Sequence, residues 1–194
     1  MAVASGSARP VESVWDFPRP AVLEPIDDQI KIVFGGVTVV ETTGAMRVLE
    51  TSHPPTYYVP RADLGQDVRL VQKSGGGSFC EWKGRAVYYD LCVGGEDGAC
   101  ARGAAWAYPE PTARVNPKQP HGWSNFGSGE SVGTGGSFEP LKDMVAFYCS
   151  KVDECWVAGE RAAPQEGDFY GGWITSWISG GERGIKGAAG TSHY

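Results

Sequence analysis

Ile30-Lys31-Ile32-Val33-Phe34-Gly35-Gly36-Val37-Thr38-Val39-Val40 is the stretch that decides the fold. Two β-branched runs flank a two-residue glycine turn, and that spacing predicts a tight β-hairpin. Met46 to Glu50 continues as a strand whose alternation puts Arg47 and Leu49 on one face, Val48 and Glu50 on the other. Downstream, Ser78 to Lys83, a turn at Gly84 and Arg85 to Val93 read as a second hairpin rich in aromatic and β-branched residues. Ala104 to Tyr108, Met144 to Tyr148 and Cys155 to Val157 read as further short strands, and Pro164 to Asp168 as a turn leading into Phe169 to Ile174. No segment keeps a helical period over three turns, although Arg61 to Asp67 and Pro140 to Asp143 could each hold one helical turn. The expectation is a mostly β chain without parallel βαβ units.

Composition agrees with many short strands joined by turns. In 194 residues there are 28 Gly and 13 Pro, with seven Trp and eight Tyr whose simplest use is packing. Residues 11–179 read as a single β domain, long enough to bury a core without metal or disulfide staples. Residues 1–10 and 180–194 read as flexible ends, and the Gly/Ser-rich stretch 116–136 as an inserted loop. The net charge of -6 is spread, with no Lys/Arg stripe, so nucleic acid and anionic membrane are not expected partners. No window approaches the roughly eighteen apolar residues of a membrane span. The start carries one Arg and no apolar core, so the expectation is a cytoplasmic protein without a secretory signal. Five cysteines with no C-x-x-C pair predict free thiols and no zinc site.

The chemistry concentrates between Leu49 and Pro60. His53 is fixed by Pro54-Pro55 and flanked by Glu50, Thr51, Ser52, Tyr57 and Tyr58, whereas His121 and His193 fall in a Gly-rich stretch and next to the end. Histidine titrates near neutrality, and two prolines remove backbone freedom where its ring must be aimed. Period-two alternation through Ser78 to Lys83 places Cys80 and Trp82 most simply in the core, and Glu81 with Lys83 on the other face. Tyr88 and Asp90 share a face of the partner strand. Asp168 lies just before Tyr170-Gly171-Gly172-Trp173, where two glycines permit close backbone approach. Asp168 either caps its turn or orients His53.

Five blocks together resemble the domain of unknown function 427 family, which is also labelled a nucleotidyltransferase-type domain. They are ESVWDFPRP (12–20), VFGGVTVVETTGAMRVLETSHPPTYYVP (33–60), SFCEWKGRAVYYDL (78–91), AAWAYPEP (104–111) and VAFYCSKVDECWVAGERAAPQEGDFYGGWIT (145–175). The resemblance implies a small antiparallel domain of the β-tent kind, similar to methionine-R-sulfoxide reductases and to the ligand-binding domain of cereblon. Relatives of that fold that hold zinc do so through paired cysteines, which this chain lacks. It departs from the family pattern in a longer segment between Pro111 and Leu141, and in Cys149-Ser150 where a Pro-Gly turn is common. Nucleotidyl transfer would need a Gly-Ser turn beside clustered carboxylates holding two metals. The acidic pairs Asp27-Asp28, Glu96-Asp97 and Asp153-Glu154 have no such partner, and no phosphate-cradling G-x-x-x-x-G-K-[ST] occurs.

The leading expectation is therefore a small-molecule enzyme of unknown specificity, with no organic cofactor. His53 is its general acid or base, Glu50 orients it, and Glu81 and Lys83 bind polar groups of the substrate. Tyr58, Trp82, Trp106 and Trp173 wall the pocket, with Arg47, Ser52, Tyr88, Asp168 and Tyr170 as further substrate contacts. The rival expectation is a non-catalytic binding module with an aromatic cage, and the third a purely structural domain. A homodimer is compatible with each.

Overall fold

The computed structural model describes residues 9–95, 98–113, 137–167 and 169–187. A seven-stranded sheet runs in the order Val22–Pro25, Met46–Leu49, Thr56–Pro60, Met144–Phe147, Cys100–Ala107, Val87–Val93, Val68–Gln72. A four-stranded sheet runs Glu160–Arg161, Glu154–Val157, Ile30–Phe34, Val37–Thr42. Both sheets are antiparallel throughout. Helical structure among the described residues is confined to 3-10 turns at Arg61–Asp63, Glu139–Leu141, Cys149–Lys151 and Gly181–Arg183. The protein is a small, mostly β domain, and no described helix is long and apolar enough to cross a membrane.

The 30–40 hairpin forms as its sequence dictates. Gly35 and Gly36 both take positive φ, 57° and 73°, which a two-residue turn matched to strand twist demands and which side chains resist. Ile30 and Ile32 then pack with Tyr57, Val59, Val145 and Phe147 from the larger sheet in the main core. Alternate residues of those same strands, Tyr58, Ala146 and Trp106, turn the other way and pack with Val48, Tyr108, Phe138 and Tyr148. The seven-stranded sheet is thus buried on both faces. The face away from the smaller sheet carries the candidate site.

Three features differ from the sequence expectation. Cys92 and Cys100 form a disulfide, because the antiparallel register sets them opposite one another with Cα atoms 4.2 Å apart. Counting spacings along the chain cannot see such a cross-strand pair. Val68–Gln72, not anticipated as a strand, completes the larger sheet by pairing with Val87–Val93. At the C-terminal end, the described residues of the expected tail are tied down. The Lys186 amide donates to the Ser52 carbonyl (2.9 Å), and Ile185 packs with Val14, Phe17 and Leu49. The expected loop at 116–136 lies outside the described residues.

Trp173 anchors the inner core. It is 1% exposed, lies 5.1 Å from the Tyr57 ring, and its indole N–H donates to the Phe147 carbonyl (3.1 Å). Trp173→Ala should cost about 3–5 kcal/mol, the usual range for emptying a large aromatic site. Denaturant titration reads this directly, and a loss below about 1 kcal/mol would contradict the packing described.

Candidate functional site

A single turn builds the centre of the site. The His53 amide donates to the Glu50 carbonyl (3.0 Å), and Ser52 takes φ 66° as the third residue of a type II turn must. The turn is clamped by the Ser52 amide on the Val14 carbonyl (2.8 Å) and, beyond the two prolines, by the Trp173 amide on Pro55 (2.9 Å). It brings His53 Nδ1 to 3.8 Å from Glu50 Oε2 and 3.2 Å from the Thr51 carbonyl oxygen. A carbonyl only accepts, so that contact puts the proton on Nδ1 and leaves the lone pair on Nε2.

Both side chains border a cleft of about 320 Å³. The outer face of the larger sheet supplies its floor, with Val48, Thr56, Tyr58, Tyr88 and Trp106. A small hairpin, Phe79–Cys80 with Gly84–Arg85, supplies the opposite wall. Its turn comes at Glu81–Lys83, earlier than expected, and this overturns the alternation argument. Cys80, Glu81, Trp82 and Lys83 all reach the cleft. Cys80 is half-buried there, at the edge of the outer core cluster.

The third wall comes from Phe169, Tyr170 and Gly171. A side chain on Gly171 would sit 2.2 Å from the Trp106 ring, and one on Gly172 2.8 Å from the Pro54 carbonyl. The glycine pair therefore serves close packing. Gln165, buried, accepts from the Gly172 amide (3.1 Å) and donates to the Lys186 carbonyl, tying this wall to the chain end. The Tyr170 ring meets His53 edge-on at 5.0 Å.

Charge is dense for a space this small. Glu50 is 7% exposed, and burial alone would raise its pKa. The charge His53 carries when protonated, together with those of Lys83, Lys186 and Arg19, outweighs burial and holds its carboxyl below the usual range. Arg19 and Lys186 reach it at 3.2 and 3.7 Å, and the Trp82 indole N–H donates to it at 3.3 Å. Arg19 also pairs with Glu81 (3.2 Å) and lies over the Trp82 ring at 5.6 Å. Lys83 makes no ion pair within 4.0 Å among the described residues. Burial works against its charge, yet Tyr58, Cys80 and Glu50 together raise its pKa, so it stays an ammonium. His53 goes the other way. Burial pushes it down to about 4 against the partial help of Glu50, which replaces the expected titration near neutrality.

Three expected contacts lie elsewhere. Arg47 points to the opposite side of its strand, where Glu12 (2.6 and 2.7 Å) and Glu24 (2.6 Å) hold its guanidinium. Strand alternation already separated it from Glu50. Ser52 shapes the turn through its backbone and does not line the cleft, and Trp173 belongs to the inner core. Asp168 falls outside the described residues. Sequence reasoning missed Arg19 and Lys186, which come from the 12–20 block and from the end read as flexible. Neither carries a motif of its own.

The model of a domain of unknown function, DUF427, matches residues 22–125. The chain belongs to that family. No curated protein matches the chain. The DUF427 match takes in Glu50, His53 and Cys80 through Lys83, but Arg19, the Phe169–Gly171 wall and Lys186 lie beyond it. The nucleotidyltransferase label is a name; of the acidic pairs that might have served it, Glu96-Asp97 lies outside the described residues, and members of the other two are engaged elsewhere. Asp28 pairs with Arg9 (2.6 Å), Asp153 accepts from the Gly35 amide (2.7 Å) and Glu154 from the Trp156 indole (2.8 Å).

A pH dependence follows from His53. Between pH about 4 and 6.5 the unfolded chain binds a proton at this position that the folded one refuses. Stability should therefore be full above about 6.5 and fall by about 3 kcal/mol as pH drops through 4. Glu50, with its lowered pKa, adds a loss of the same sign further down. Urea titrations across this range should show a shallower acid slope for His53→Gln than for wild type, and equal slopes would refute the shift.

Proposed function

We propose that this domain is an enzyme acting on a small molecule, with His53 as general base. The observation that carries this is the Glu50–His53 turn opening onto a walled cleft that also holds the Lys83 ammonium, which has no carboxylate within 4.0 Å among the described residues. Neutral at pH 7, His53 takes a proton through Nε2 from a substrate hydroxyl, amine or water. The imidazolium so formed is stabilised by the Glu50 carboxylate beside Nδ1. Lys83 and Lys186 hold the negative charge that develops on a carbonyl or carboxylate oxygen. No step calls for an organic cofactor.

One observation weighs against a cage for cations. Lys83 lies 5.6 Å over the Tyr108 ring, Lys186 5.5 Å over Tyr170 and Lys151 4.8 Å over Tyr148. The ring faces already carry the protein's own ammonium groups, so a cationic ligand would meet like charge. A non-catalytic module would have to take a neutral or anionic ligand.

A thermal-shift panel of small carboxylates, carbonyl compounds and amines should yield hits among the first two classes. Mass spectrometry of incubated hits then separates catalysis from binding. His53→Gln should cut turnover by roughly 10²–10⁴-fold while changing ligand affinity by less than about threefold. The wild-type rate should rise as pH passes about 4 and stay level to neutrality. A ligand that binds tightly and returns chemically unchanged would leave the binding module as the better description.

A further inference from the structure

Four large apolar side chains are exposed among the described residues, and two of them, Phe79 and Phe169, stand at the same cleft. Phe79 is 76% exposed on the hairpin wall, and Phe169 is 61% exposed on the wall next to Tyr170. Neither joins any of the core clusters. Phe169 touches Tyr170 edge-on at 5.0 Å, and its backbone carbonyl accepts from the Tyr148 hydroxyl (3.0 Å), so its place is fixed without its own ring being buried. Two exposed rings on separate elements around one opening form an apolar collar that no described residue covers. Further in, the cleft changes character. Lys83 and Lys186 offer positive charge, and only Lys186 has a carboxylate within 4.0 Å.

We propose that the cleft takes an amphiphilic carboxylate, its head seated on Lys83 and Lys186 and its apolar tail lying between Phe79 and Phe169. This deepens the small-molecule reading and rests on it. The charge order fixes the direction, because a tail pushed inward would strip water from two ammonium groups without replacing it. Glu50 and Glu81 also line the cleft, but Arg19 and Lys186 already engage Glu50 and Arg19 engages Glu81, so a cationic head meets the lysines without a free carboxylate to offset them. A head of one carboxylate adds the counter-charge that Lys83 lacks, and a neutral alcohol does not.

The test is isothermal titration of the full chain at neutral pH with butyrate, hexanoate and octanoate, and with hexanol and hexylamine as matched probes. Affinity should rise about two- to fourfold per added methylene, the upper figure corresponding to full burial. Hexanoate should bind at least about tenfold better than hexanol or hexylamine, the order expected of a charge-assisted contact. Phe79→Ser with Phe169→Ser should flatten the chain-length series while leaving butyrate within about threefold, since short acids do not reach the collar. Both positions are exposed, so this variant should melt with the wild type. Lys83→Met should remove the advantage of hexanoate over hexanol and keep the chain-length slope. An absence of alkanoate binding, a series without chain-length dependence, an unchanged slope in the double serine variant, or hexylamine matching hexanoate would each overturn the proposal. Binding alone is measured, so the outcome stands apart from whether His53→Gln affects turnover.

Discussion

The buried Glu50 carboxylate is the constraint around which the outer half of this protein is arranged. A carboxylate removed from water without partners would cost several kcal/mol or take up a proton. Here it is met by Arg19 from the entry segment, the Trp82 indole from the hairpin, Lys186 from the chain end and His53 from its own turn. Segments far apart in sequence converge because one charge must be satisfied. Removing any one partner would weaken the others, since a shared buried anion couples them.

That convergence is possible because the seven-stranded sheet is buried twice. Its inner face packs against the smaller sheet with Tyr57, Val59 and Phe147, and that apolar contact holds the fold. The outer face is free to carry polar and aromatic groups, because stability does not rest on it alone. Glu50 and Val48 face outward while Arg47 is held aside by Glu12 and Glu24, so a period of two residues divides structural from functional positions. The Gly171 approach to Trp106 then brings the third wall close enough to close the cleft.

Much of the fold was legible because strand signals are local. The 30–40 hairpin, the run into His53 and the strands near 104, 144 and 155 follow from β-branched alternation and glycine turns. The convergence of Glu50, His53, Glu81, Lys83, Tyr58, Tyr88, Trp106 and Tyr170 on one cleft was also in reach, through the motif at 49–60 and the hairpin after Ser78. What escaped was non-local. Arg19 and Lys186 carry no motif of their own, and the Cys92–Cys100 bridge depends on register. Trp82 lines the cleft as the pocket-wall reading expected. The alternation that set Cys80 and Trp82 on the side away from Glu81 and Lys83 failed because the turn is displaced by a few residues, and alternation holds only while the strand does.

For the general base proposed above, the environment that perturbs His53 also sets its strength. Burial favours the neutral ring, so the resting state at pH 7 has a proton on Nδ1 and a free lone pair on Nε2. A base of this low pKa takes a proton readily only if the product imidazolium is stabilised where it forms. Glu50, 3.8 Å away, would serve that purpose in the proposed reaction, and its own charge is secured by Arg19 and Lys186 whether or not His53 is protonated. The cations thus act on His53 in two opposed ways. Lys186 and Lys83 lower its affinity for a proton directly, and they keep Glu50 ionised so that the affinity is partly restored. An anion arriving on Lys83 would offset the direct repulsion without discharging Glu50. Substrate binding would then raise the basicity of His53 at the moment a base is needed, which links recognition of a carboxylate head to proton transfer through charge alone.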